Sequence, residues 1–152
     1  MKKIGSYTAR GIVTESETEA GLPQKIPLFD GKFTTGYRVI NFKIWASTWN
    51  SSTQPDAIGK LSKNNLGTTG ASNFMRADDD NQIAWATTNG GSDTGGTFAE
   101  SIIDKDNLIV EDLYVYVRTA GTNAINYLIE MEKYSISDWQ GALSMSRDKA
   151  QE

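Results

Sequence analysis

Residues 108–136 read LIVEDLYVYVRTAGTNAINYLIEMEKYSI, and their alternation decides the fold class. Across Leu108–Arg118, Ile109, Leu113, Val115 and Val117 share one face with Glu111, while Val110, Tyr114 and Tyr116 take the other. Across Ala124–Ile136, Ile125, Tyr127, Ile129 and Met131 oppose Asn126, Glu130 and Glu132. A period of two, carried by β-branched and aromatic side chains, marks half-buried strands. The short turn at Ala120–Asn123 predicts that the two strands form an antiparallel hairpin.

Outward from this pair, the same pattern returns. Ile4–Val13 is a strand candidate interrupted by Gly5 and Gly11, and Thr14–Gly21 (TESETEAG) reads as a polar surface loop. Pro23 and Pro27 flank QKI and cannot donate to a ladder, so this segment belongs on an edge or in irregular extended chain. Asp30-Gly31 is a turn signal that predicts a hairpin with the segment after it. In Tyr37–Trp49, Ile40, Phe42 and Ile44 make the better core face, against Tyr37, Val39 and Trp45. Ala57–Leu61 and Asn81–Thr88 are shorter strand candidates, separated by the polar stretch Asn64–Asn73.

Seven or eight strands at this spacing, with no helices between them, predict a single all-β domain over residues 1–152. The expected architecture is an antiparallel β-sandwich, jelly-roll-like because long loops alternate with long strands. Residues 137–152 depart from the pattern. Ser137 precedes Asp138-Trp139-Gln140 as in a capping box, and Ala142, Leu143 and Met145 favour a helix. So short a helix is marginal alone in water. It is expected to lie on its own domain or a neighbour through Trp139 and Leu143, with Arg147–Glu152 as the exposed end. Deleting residues 138–152 is then expected to impair assembly more than folding.

Composition removes whole classes of chemistry. The 152 residues contain no cysteine and no histidine. Thiolate nucleophiles, disulfides, Cys or His zinc sites and imidazole acid–base catalysis are excluded. The net charge of −4 and scattered basic residues argue against a nucleic-acid-coating surface. No apolar run approaches the ~20 residues that span a bilayer. Lys2-Lys3 has no hydrophobic stretch behind it, so no secretory signal is expected and Met1 is expected to begin the mature chain.

Four features remain to be weighed. Asp78, Asp79 and Asp80 supply oxygens suited to a hard cation. They lack the spacing and glycine of an EF-hand loop, and consecutive side chains diverge, so a solvated turn is the simpler reading. Glu130 and Glu132, two residues apart on one strand with Glu111 expected on its neighbour, resemble the carboxylate pair of glycoside hydrolysis. Alternation on a solvent-facing strand gives the same pattern. Trp45, Trp49, Trp85, Tyr37, Tyr114 and Tyr116 suit either sugar stacking or core and interface packing, with packing the commoner use. Asn89–Gly96 (NGGSDTGG) has no Gly-Lys-Ser/Thr ending and opens no helix, so it is a surface loop and not a phosphate cradle.

Several segments together carry a resemblance: MKKIGSYTARG (1–11), PLFDGKFTTGYRV (27–39), NFMRADDDNQIAWA (73–86), NLIVEDLYVYV (107–117) and INYLIEMEKYSISDWQGAL (125–143). The chain resembles a family of small proteins encoded by uncultured marine bacteriophages and treated as virion structural components. The likeness spans nearly the whole sequence, with residues 14–21 and 89–96 the least matched, and it contains no catalytic motif. It implies a non-enzymatic capsid shell or decoration subunit, located in the virion, without cofactor. Its expected partners are copies of itself or other capsid proteins, without membrane association, and nucleic acid only if it lines the shell. The expected contact residues are Tyr114, Tyr116, Trp139, Leu143 and Arg147. The alternative is a carbohydrate-binding sandwich for host attachment.

Overall fold

A computed structural model describes residues 2–14, 23–47, 57–65, 75–89, 98–119 and 124–137. Among them run eight strands: β1 (Lys2–Thr14), β2 (Gln24–Ile26), β3 (Thr35–Ala46), β4 (Ala57–Ser62), β5 (Gln82–Asn89), β6 (Phe98–Ile103), β7 (Leu113–Thr119) and β8 (Ala124–Ser135). All named pairs are antiparallel. A three-stranded sheet has the order β1-β8-β3, and a five-stranded sheet has β2-β7-β4-β5-β6. The chain is therefore an all-β sandwich. Residues 138–152, where the terminal helix and the contacts of Trp139, Leu143 and Arg147 were expected, lie outside the described residues, as does Trp49.

The segment that decided the fold class is not a hairpin. β8 is filled on both sides, by β1 from Lys2↔Ser135 to Thr14↔Ala124 and by β3 from Thr35↔Ser135 to Ala46↔Ile125. No edge of β8 remains for β7, which pairs instead with β2 and β4. The connection between β7 and β8 therefore changes sheet. Leu113, Val115 and Val117 then meet Ile125, Ile129 and Met131 in one core, all at most 2% exposed. Alternation reports which residues face the core and not whether two strands share a sheet, so it reads the same either way.

Two further expectations are corrected by the same logic. Asp30-Gly31 is a turn, with Gly31 at φ 84°, Lys32 N–H donating to Asp30 Oδ1 (2.9 Å) and Thr35 Oγ1 donating to Asp30 Oδ2 (3.1 Å). The strands it joins, β2 and β3, nevertheless belong to different sheets. The predicted strand Leu108–Arg118 breaks at Glu111-Asp112. Ile109 exchanges two 2.8 Å backbone bonds with Tyr37 at the rim of β3, and the chain then crosses to β7.

β3 changes phase at a bulge. Its register with β8 slips between Val39 and Asn41, leaving Ile40 as the extra residue. An unpaired residue reverses the inward set. Tyr37 and Val39 face the core before the bulge and Phe42 and Ile44 after it, while Ile40 is half-buried. The single core face expected from Ile40, Phe42 and Ile44 is thus half right. Gly59 of β4 lets the sheets approach, since a Cβ there would sit 3.2 Å from Ile44 Cγ2 and 3.3 Å from Phe42 Cζ.

β2 does lie on a sheet edge, as its flanking prolines required. Asp112 fastens it. The carboxylate pairs with Lys25 Nζ at 3.1 Å and accepts the N–H of Leu28 (3.0 Å) and Phe29 (3.4 Å). Burial alone would raise its pKa, but Lys25 and the two backbone donors outweigh burial and hold it below the ordinary aspartate range.

Candidate functional site

The outer face of the three-stranded sheet follows from its register. Ile12, Asn126 and Trp45 form one row across β1, β8 and β3, and Arg10, Leu128 and Lys43 form the next. Ile12 is 50% and Trp45 45% exposed, and Leu128 is half-buried. Ile12, Leu128, Trp45 and Asn126 line a depression of about 490 Å³ with Arg10 at its side. Asn126 Nδ2 donates to the Ala46 carbonyl at 3.5 Å, beside the indole. Apolar surface framed by two cations and an amide is suited to contact, because its burial is favourable and its polar rim can pair.

Further along this face the side chains satisfy one another. Glu132 accepts the Tyr134 hydroxyl at 2.8 Å and pairs with Lys3 Nζ at 3.2 Å. The Tyr134 hydrogen bond first, and Lys3 next, hold the Glu132 carboxyl below its ordinary range, while the Tyr134 phenol is pushed up by the same bond. The Arg38 guanidinium lies 5.2 Å from the centre of the Tyr134 ring. A glycosidase acid needs a raised pKa. Glu132 has a lowered one. Glu111, expected on the neighbouring strand, precedes β7 in the other sheet, and β8 has no ladder with that strand.

The five-stranded sheet presents a different outer face. Tyr116, Lys60, Trp85 and Ile102 form a row across β7, β4, β5 and β6. Tyr116 is 1% and Lys60 4% exposed. Lys60 Nζ stands 5.9 Å from the Tyr116 ring centre, and the Tyr116 hydroxyl donates to Asn65 Oδ1 at 3.2 Å. Burial pushes the Lys60 ammonium down, against the opposing charge of Asp79. Tyr116 is thus enclosed within its own chain, and Tyr114 is half-buried. Trp85 is half-buried as well, its Nε1–H donating to Gln82 Oε1 at 2.9 Å.

The three aspartates do diverge. Asp78 forms a two-point pair with Arg76 (3.0 and 2.7 Å). Asp79 accepts the Asn81 N–H at 3.0 Å and the Gln82 amide at 3.3 Å, closing the turn into β5. Among the described residues no group of three or more His, Cys, Asp or Glu is placed to hold a metal ion. Asp79 and Asp80 do share the wall of a polar cleft of about 260 Å³ with Asp104, Asp106 and Lys63. Lys63 Nζ donates to Asn107 Oδ1 (3.2 Å) there, and Asn107 donates to Asp104 Oδ2 (2.6 Å), which ties two loops together.

Sequence reasoning left two features of the surface unread. Ile4, Tyr7 and Ile12 are exposed at 53%, 44% and 50%, all on β1. The available signal was Arg10-Gly11-Ile12, where an apolar residue shares a strand face with a cation. β6 was also missed, because FAESII lacks period-two alternation: its apolar Ile102 and Ile103 are adjacent and follow Glu100-Ser101.

No protein-family model matches the chain, and no curated protein and no solved structure matches it. Fold and surface therefore carry the functional argument. The class they define is an all-β sandwich whose three-stranded sheet exposes Ile12 and Trp45 among polar side chains on its outer face, while Tyr116 and Lys60 are buried on the outer face of the five-stranded sheet.

Proposed function

We propose that this chain is a non-enzymatic structural subunit of a bacteriophage virion, of the shell or decorating it, assembling through its three-stranded sheet. The observation that carries the reading is the exposure of Ile12 and Trp45, in one row beside half-buried Leu128, on the outer face of that sheet. Solvated sheet faces normally alternate apolar-in and polar-out. An outward Ile and Trp in one row, on either side of Asn126, break that rule in the way an interface does.

Strand order supports the jelly-roll form of this reading. A jelly roll is a long hairpin wrapped into two sheets, pairing β1 with β8, β2 with β7, β3 with β6 and β4 with β5. Here the first, second and fourth pairs are present, and β6 pairs with β5 and packs against β3. Capsid and lectin domains both use this architecture, so topology alone does not choose between them. The resemblance to marine phage virion proteins favours the capsid.

The second reading, a glycan-binding module, is favoured by Trp45 itself. An exposed indole flanked by Arg10, Lys43 and Asn126 offers a stacking plane with hydrogen-bond donors at its rim. Electron microscopy of the purified chain, paired with a glycan array, separates the two. Ordered multimers that dissociate in Trp45→Ala support assembly. Glycan binding by a monomer, lost in Trp45→Ala, supports the alternative and removes the first reading.

A further inference from the structure

The proposed assembly leaves open which element joins two copies, and β1 answers this. It runs for thirteen residues at the rim of its sheet. β8 occupies one of its edges, and among the described residues no strand pairs with the other. Long, exposed, apolar edges template the addition of another strand, and proteins ordinarily blunt them with charge or bulges. The blunting on β1 is confined to its start, where Lys2, Lys3 and the bulge between Lys3 and Gly5 lie. From Gly5 to Thr14 the only charge is Arg10. The five-stranded sheet ends on β2, a strand of just three residues.

We infer that β1 pairs antiparallel with β1 of a second copy across a two-fold axis at Thr8, fusing two three-stranded sheets into one of six strands. This deepens the self-assembly reading and rests on it. A two-fold axis normal to a sheet sets residues of the same face opposite one another, so it must pass through one residue of the strand. An axis at Ser6 leaves Ile12 and Val13 without partners, because the strand does not extend far enough before it, and one at Arg10 sets Arg10 against itself, which like-charge repulsion disfavours. An axis at Tyr7 places Ile4 against Arg10, and one at Ala9 places Ile12 against Ser6. Thr8 is the midpoint of Lys2–Thr14, and an axis there pairs the regular stretch Gly5–Gly11 in full. It sets Arg10 against Ser6, Tyr7 against Ala9 and Gly5 against Gly11. It also brings Ile4, at the bulge, to Ile12, covering two of the most exposed apolar side chains. The open row of Ile12 and Trp45 then continues across the axis onto the second copy.

The absence of cysteine gives a clean test. Residues directly opposite in an antiparallel pair have Cα atoms about 4.5–5.5 Å apart, within disulfide range. Thr8→Cys is expected to form a covalent dimer in most molecules under mild oxidation. Ser6→Cys alone is not, because its two copies stand more than about 13 Å apart, whereas the Ser6→Cys/Arg10→Cys double variant is. Thr8→Lys is expected to weaken self-association about fivefold while leaving the circular dichroism spectrum unchanged. Multimers that persist without the Thr8→Cys cross-link would overturn the β1 pairing and leave assembly through another surface standing. A chain that is monomeric at every concentration would overturn both.

Discussion

Gly11→Ala tests the seating of β1 on β8, on which the exposed edge depends. Gly11 stands opposite Tyr127. A Cβ added there would lie 2.6 Å from the Tyr127 hydroxyl oxygen, 2.9 Å from Cζ and 3.0 Å from Cε1. Because ring carbons are among these contacts, reorienting the hydroxyl does not relieve them. Tyr127 is 4% exposed and belongs to the core cluster, so the ring can yield only by displacing its neighbours. Overpacking of this kind costs about 1–3 kcal/mol. In a urea titration with a slope near 2 kcal/mol per molar, that lowers the midpoint by roughly 0.5–1.5 M. Gly5→Ala is the matched control on the same strand, since a Cβ there meets nothing within 4 Å. It is expected to be neutral or to stabilise by up to about 1 kcal/mol. Combining Gly11→Ala with Tyr127→Ala should cost less than the sum of the single changes, because the smaller side chain removes the clash. Equal midpoints for Gly11→Ala and Gly5→Ala would refute the β1–β8 register and with it the placement of Ile12.

Phe42→Ala, at 0% exposure between the sheets, is expected to cost about 3–5 kcal/mol in thermal or urea unfolding. Asp112→Ala removes the acceptor of two backbone N–H groups and the Lys25 pair, and should cost about 1–2 kcal/mol by the same assays. The Asp112 carboxyl has a lowered pKa in the folded chain, so its stabilisation is complete above the unfolded value near 4 and is lost as pH falls through the folded value. Wild type should therefore lose more stability than Asp112→Ala on acidification below pH 4. Trp45→Ala should leave the unfolding free energy within about 0.5 kcal/mol of wild type and weaken association roughly tenfold by concentration-dependent light scattering.

The sequence made the strands legible and their partnerships less so. β1, β4, β5 and β8 were read to within about two residues, because alternating Ile, Val and Tyr against polar side chains directly reports half-burial. Sheet membership was hidden, since Leu113, Val115 and Val117 face the core whether β7 pairs with β8 or lies across from it. The bulge at Ile40 was invisible as well. Nothing local distinguishes an extra residue from a regular one, and the register with β8 alone reveals it. At the candidate surface, Trp45 was read as aromatic potential, but its neighbours Ile12 and Arg10 lie 33 and 35 positions away in the chain. Only the β1-β8-β3 order brings them into one patch. Tyr116 shows the converse, an apparent outward aromatic enclosed beneath Lys60.

Sedimentation velocity on the full chain over a hundredfold concentration range tests the central claim most directly. The account predicts a mass that rises from one 16.7 kDa chain to dimers and larger multimers, with Thr8→Lys and Trp45→Ala each shifting the curve to higher concentration. A single species of 16.7 kDa at every concentration, unchanged by either substitution, would contradict it.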